Sequence, residues 1–65
     1  MKLVKQYKCD NNLPSDDEIK MAIEIANAED CIVLLAYNLD WNVLRITKGI
    51  SFEECMKKIH PEIQF

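Results

Sequence analysis

The longest uninterrupted apolar segment of the chain, residues 31–37, places the strongest constraint on the fold. It reads CIVLLAY. Seven residues are typical of a strand and too few for an average helix, and the segment contains β-branched side chains. A strand with one wet face shows apolar residues only at alternate positions, whereas this run has no alternation. The pattern therefore predicts a central strand that is covered on both faces.

Two weaker strand patterns lie on either side of this run. Residues 2–9 alternate loosely, with lysines interleaved among apolar side chains, which predicts a half-buried edge strand. Residues 42–47 alternate as well and predict a strand with one wetter face. Since Asn and Asp tolerate turn geometry, residues 38–41 predict the loop of a β-hairpin.

Two capping boxes predict where the helices begin. Ser15 and Glu18 have the Ser-x-x-Glu spacing, and Ser51 and Glu54 repeat it. The first box predicts a helix over residues 16–28, whose apolar side chains span an arc of about 220° at helical spacing. One side of a sheet does not cover so wide an arc. The second helix is short and has an ordinary single apolar face.

The order of these elements is β-α-β-β-α. It predicts an α+β fold in which residues 1–65 form a single domain of two layers, a three-stranded antiparallel or mixed sheet with two helices. The central strand and the first helix together carry more apolar surface than this small fold hides. We therefore expect a homodimer whose interface covers the second face of the central strand, the wide arc of the helix, or both. The predicted interface residues are Met21, Ile25 and Leu34.

Charge and hydropathy restrict the partners. Eight Lys and Arg stand against eleven Asp and Glu, the net charge is −3, and Arg45 is the single arginine. This balance disfavours nucleic acid, whose phosphates are bound by clustered basic side chains. No apolar run approaches the roughly 20 residues that span a bilayer, and residues 1–5 lack the apolar core of a signal peptide. We expect a cytoplasmic protein with no membrane partner.

The three cysteines predict free thiols and no metal site. An odd count without an export signal is typical of a reducing compartment. Cys9, Cys31 and Cys55 could make a Cys3His set with His60, but no two of these residues have the spacing of a zinc knuckle. Cys55 and His60 are also about 140° apart around a helix axis.

The residues needed for catalysis are not found in a usable spacing. His60 is the single histidine, and no Ser, Cys or carboxylate is spaced to pair with it. Ser15 and Ser51 are explained as helix caps. One glycine does not make a phosphate-binding loop. We therefore expect no catalytic site and no cofactor, and we expect that the protein is not an enzyme.

The single tryptophan, Trp41, marks the candidate binding site. It falls in the predicted hairpin loop, where Tyr37, Asp40 and Trp41 would form one partner-binding tip. Tryptophan and tyrosine dominate the energetics of protein interfaces. The alternative is that Trp41 is a lid over one end of the core. We expect a protein partner, and if Trp41 is a lid, the surface that binds this partner is unassigned.

In general style the chain resembles the small single-domain proteins that phages encode to inhibit host defence systems or host enzymes. The segment ITKGISFEE, residues 46–54, and the helix that it opens carry the resemblance. The resemblance implies stoichiometric inhibition of a host protein by binding, without a cofactor. Residues 49–59, a strand end followed by a capped helix, are also similar to the HicB-type antitoxin domain, which implies a small antitoxin or regulatory subunit. An RNA-binding α/β module is a third alternative, which the acidic balance disfavours.

Overall fold

A computed structural model of the protein describes residues 3–59. Five elements follow one another along the chain: β1 (Val4–Lys8), α1 (Asp16–Glu29), β2 (Ile32–Tyr37), β3 (Asn42–Ile46) and α2 (Phe52–Ile59). The predicted order β-α-β-β-α and the α+β class are confirmed. His60, the single histidine of the chain, lies outside the described residues.

The three strands form a mixed sheet with β2 in the centre. β1 is parallel to β2, and β3 is antiparallel to it. Leu34 in the middle of β2 is flanked by Gln6 on β1 and Arg45 on β3. β1 and β3 are therefore the two edge strands, which confirms the edge position predicted for the first strand. The connection through α1 makes the parallel pairing possible, because parallel strands need a long crossover.

Both helices begin at the predicted caps. The Ser15 hydroxyl accepts the Glu18 N–H at 3.2 Å, and the Glu18 carboxylate accepts the Ser15 N–H at 2.8 Å. Ser51 and Glu54 make the same reciprocal contacts at 3.1 and 3.4 Å. Each box satisfies backbone donors that have no partner inside the helix. The hydrogen bond from Ser15 also lowers the pKa of the Glu18 carboxyl, because it favours the charged form.

The core lies between the helices and one face of the sheet. Val33 and Leu35 of β2, and Leu44 and Ile46 of β3, point into it. The helices add their buried side chains to the same cluster: Ile19, Ala22 and Ala26 from α1, and Cys55 and Ile59 from α2. Removing these apolar groups from water is the main source of stability in a fold of this size.

The second face of β2 differs from the expectation. Ile32 and Leu34 alternate away from the core and are only half-buried. On the same face of the sheet, Val4 beside Ile32 and Val43 beside Ala36 are each 51% exposed. Within residues 3–59 the helices cover one face of the sheet and leave the other open. The apolar run therefore does not indicate that this chain covers both faces. Its outward residues lose part of their exposure to side chains of the two neighbouring strands.

One side-chain contact joins α1 to the turn before α2. The Asn27 carboxamide oxygen accepts the Gly49 N–H at 2.9 Å. Gly49 has a φ of +89°, a conformation that a residue with a Cβ rarely adopts, so the single glycine stands where the backbone requires it. The contact links the last turns of α1 to the turn that precedes α2.

Candidate protein-interaction site

The loop between β2 and β3 has an unusual backbone. Asn38, Leu39 and Asp40 have φ values of +54°, +55° and +68°. Asn and Asp visit this left-handed region readily, but for leucine it costs about 1–2 kcal/mol. The loop closes through a hydrogen bond from the Trp41 N–H to the Asn38 carbonyl at 3.0 Å.

Two large apolar side chains of this loop are directed into solvent. Leu39 is 87% exposed and Trp41 is 82% exposed. Trp41 therefore does not cover the core, and the lid alternative is excluded by its position. We call Leu39, Asp40 and Trp41 the tip. Leu39 was not among the predicted site residues, although an apolar residue between Asn and Asp in a turn was a signal for it.

Tyr37 does not belong to the tip. It is the last residue of β2, its side chain is 8% exposed, and it lies in the core cluster. This corrects the expectation that Tyr37 joins Asp40 and Trp41 at a partner surface. The reason is strand alternation: Tyr37 has the same parity as Val33 and Leu35, so its ring points towards the helices.

The tip and its loop contact the end of β1 and the loop that connects β1 to α1. Lys8 at the end of β1 forms an ion pair with Asp40, with 3.1 Å between the ammonium and the carboxylate. The Asn38 N–H donates to the Asn11 carbonyl at 3.4 Å. Both loops leave the carboxyl ends of the parallel strands β1 and β2, and these contacts connect them. The tip is thus a braced loop.

The second exposed apolar region is the side of the sheet away from the helices. We call it the open face, and it comprises the side chains of Val4, Gln6, Lys8, Ile32, Leu34, Ala36, Val43 and Arg45. Its centre on β2 is apolar, and its two cations stand on the edge strands. Ala36 is the one buried member, at 2% exposure.

The three predicted dimer residues do not share one surface. Met21 is 42% exposed on α1, whereas Ile25 is half-buried and packs against the core. Leu34 lies on the open face, on the side of the sheet opposite α1. One flat contact does not include both Met21 and Leu34. The homodimer itself remains a prediction, and the geometry separates its two suggested surfaces.

Two of the three cysteines, Cys9 and Cys55, lie in environments that favour the protonated thiol. Burial, followed by a hydrogen bond with the Glu18 carboxylate, raises the pKa of Cys9 to about 11. Burial also raises the pKa of Cys55. Since the thiolate is the form that attacks electrophiles and binds metals, these environments oppose both uses. Among residues 3–59 no three side chains of His, Cys, Asp or Glu gather as metal ligands, and all three cysteines are unpaired.

Two further findings concern the described residues as a whole. No helix within residues 3–59 has the length and apolar character needed to cross a membrane. The same residues enclose no cavity of ligand size. No protein-family model, curated protein or solved structure matches the chain.

Proposed function

We propose that this chain is a non-enzymatic protein-binding module that uses the tip to bind a protein partner. The observation that carries the proposal is the exposure of Trp41 on a braced loop. Tryptophan is the residue most enriched among interface anchors. A loop that is already held in place loses less conformational freedom when it binds, so less of the contact energy is spent on ordering it.

The backbone of the tip supports the same proposal. Leu39 occupies a left-handed conformation that is unfavourable for leucine, and its side chain makes little contact with the fold because 87% of it is exposed. A Gly or Asn at this position would relieve the backbone. An apolar side chain that stabilises neither the loop nor the core is consistent with a role in contact with another molecule.

The resemblance to small phage proteins extends the proposal to the kind of partner. We propose a stoichiometric inhibitor that binds a host defence protein or another host enzyme in the cytoplasm of an infected bacterium, with the inhibitor itself acting as a homodimer. The partner would bury Trp41 and Leu39 in a pocket of its own, and the rim charge Asp40 would contribute orientation.

The test is a quantitative capture experiment with a bacterial lysate. The tagged chain is compared with Trp41→Ala and with Lys48→Ala, an exposed change in the turn that precedes α2. We expect one stoichiometric protein to be retained by the native chain and by Lys48→Ala, and to be lost with Trp41→Ala. Titration calorimetry with the purified partner should show a loss of about 2 kcal/mol or more for Trp41→Ala.

The alternatives predict different outcomes of the same experiment. A co-encoded toxin in the captured fraction would assign the chain to the antitoxin class. Recovery that disappears on nuclease treatment would assign it to RNA binding. Capture that is equal for the native chain and Trp41→Ala would contradict the use of the tip.

A further inference from the structure

We propose that β1 is the dimer contact: the β1 strands of two copies pair antiparallel around Gln6 and join the two sheets into one sheet of six strands. This inference rests on the homodimer in the proposed function and identifies its surface. It concerns the edge of the sheet, and the proposed contact includes neither Trp41 nor Met21.

The outer edge of β1 presents backbone groups that have no partner among residues 3–59. The Ile32 N–H donates to the Leu3 carbonyl at 2.9 Å, and the Cys9 N–H donates to the Ala36 carbonyl at 2.7 Å. The odd-numbered residues of β1 therefore bond to β2. By strand alternation, the N–H and C=O groups of residues 4, 6 and 8 point outwards. Such a row is a template for another strand.

The other edge of the sheet is less available. The same alternation directs the backbone groups of Val43 and Arg45 in β3 outwards. The Arg45 carbonyl, however, accepts a hydrogen bond from the Lys58 ammonium of α2 at 3.4 Å. A strand that paired with β3 would share or compete for this carbonyl. Of the two edges, β1 is the one whose described carbonyls are free to accept from a second copy.

The lysines of β1 do not oppose this pairing. Lysine on an edge strand ordinarily discourages strand addition by its charge. Here both are paired within the chain, Lys5 with Glu29 at 2.6 Å and Lys8 with Asp40 at 3.1 Å. Each lysine therefore forms an ion pair within its own chain, which reduces the charge repulsion that a second copy would experience.

The sequence of β1 suits a two-fold axis at its centre. In an antiparallel pair centred on Gln6, Val4 stands opposite Lys8 of the second copy, and Lys5 stands opposite Tyr7. No lysine faces a lysine, and the uncharged Gln6 faces itself. The exposed Val4 side chain, at 51%, gains contact with the aliphatic stem of Lys8. This is the self-complementary arrangement that a closed dimer requires.

Two proline variants test the contact. Gln6→Pro removes an outward N–H and leaves the bonds to β2 in place, which is the position where an edge strand accepts proline. Val43→Pro makes the same change on the outer edge of β3 and serves as the matched control. Light scattering after size exclusion at micromolar concentration should give about twice 7.6 kDa for the native chain and for Val43→Pro. Gln6→Pro should give one chain mass, with an unchanged circular-dichroism spectrum.

A disulfide experiment keeps the inference testable if Gln6→Pro does not fold. In the proposed register the two Gln6 Cα atoms are about 5.5 Å apart, within the range of a disulfide. Gln6→Cys should therefore cross-link under mild oxidation. Val4→Cys should not, because the two Val4 residues are about 13 Å apart along the strands.

The outcomes separate this inference from the proposed function. A native chain that is monomeric across the micromolar range overturns both the dimer and its β1 contact, whereas capture through Trp41 is measured independently. A native dimer that persists in Gln6→Pro and does not cross-link in Gln6→Cys overturns the β1 contact alone. In that case, monomerisation by Leu34→Lys would assign the open face, and monomerisation by Met21→Glu would assign α1.

Discussion

The Lys8 ammonium lies 3.1 Å from the Asp40 carboxylate and connects the end of β1 to the tip of the β2–β3 hairpin. Both side chains are largely exposed, so the pair contributes little to the free energy of unfolding. Its effect is positional, because it joins the backbone contact between Asn38 and Asn11 in restraining the loop that carries Trp41. Substitutions in this loop distinguish its contribution to the stability of the fold from its contribution to partner binding.

Trp41→Ala should leave the free energy of unfolding within about 0.5 kcal/mol of the native value, because an exposed side chain contributes little packing. Tyr37→Ala, four residues away, should cost about 3 kcal/mol, because Tyr37 lies in the core. Urea unfolding of the two variants measures both. Native tryptophan emission should resemble that of free tryptophan and be quenched by iodide. Blue-shifted emission that iodide does not quench would contradict the exposed position.

Leu39→Asn should stabilise the chain. Asparagine adopts a positive φ more readily than leucine, and an 87% exposed leucine loses little packing when it is replaced. We expect a gain of about 0.5–1 kcal/mol in thermal or urea unfolding. Leu44→Asn, at a buried position of β3, provides the contrast and should strongly destabilise the fold. A loss of stability in Leu39→Asn would show that the leucine side chain supports the loop.

Cys9 should react slowly with iodoacetamide at pH 8. A pKa of about 11, in place of the ordinary 9.0, reduces the thiolate fraction about 100-fold. Peptide mapping by mass spectrometry compares the native chain with the chain in guanidinium chloride, where the ordinary value applies. Glu18→Gln should speed the native reaction, because it removes the carboxylate that opposes the thiolate. Equal rates in folded and unfolded chains would contradict the effect of burial.

Stability should fall on acidification in part through Glu18. The hydrogen bond from Ser15 lowers the pKa of this carboxyl in the folded state below the ordinary 4.5. Its stabilising contribution is therefore complete above pH 4.5 and is lost as the pH falls through the folded pKa. Glu18→Gln should be less stable than the native chain at pH 7, and the difference should shrink below pH 4.5. Glu24→Gln, an exposed change on the same helix, controls for the altered net charge.

Much of the fold was predictable because its signals are local. Ser15 and Glu18, and likewise Ser51 and Glu54, are three residues apart, so each cap is decided by neighbours in the chain. Strand periodicity and the turn formers at residues 38–41 act over similarly short distances. These features were sufficient to predict the order β-α-β-β-α and the bounds of α1 to within one residue at its C-terminal end.

The candidate site was only partly predictable. The sequence allowed Trp41 to be either an interface anchor or a lid over the core, because residue type and position in a turn do not determine how exposed its side chain is. Leu39 was overlooked because its one signal, an apolar residue between Asn and Asp in a turn, does not by itself determine exposure. Tyr37 was assigned to the tip from its closeness in sequence, whereas strand alternation turns its ring into the core.

The sequence by itself determined the helix caps, the element order and the location of the β2–β3 turn, since each depends on hydrogen bonds or periodicity within a few residues. Only the tertiary structure decided that β1 runs parallel to β2, that both helices lie on one face, and that Lys8 meets Asp40 across 32 positions of the chain. These relationships depend on how α1 carries the chain from β1 back to β2. A one-residue change in that register would exchange Leu34 with Leu35 between the open face and the core, because successive side chains of a strand point to opposite sides.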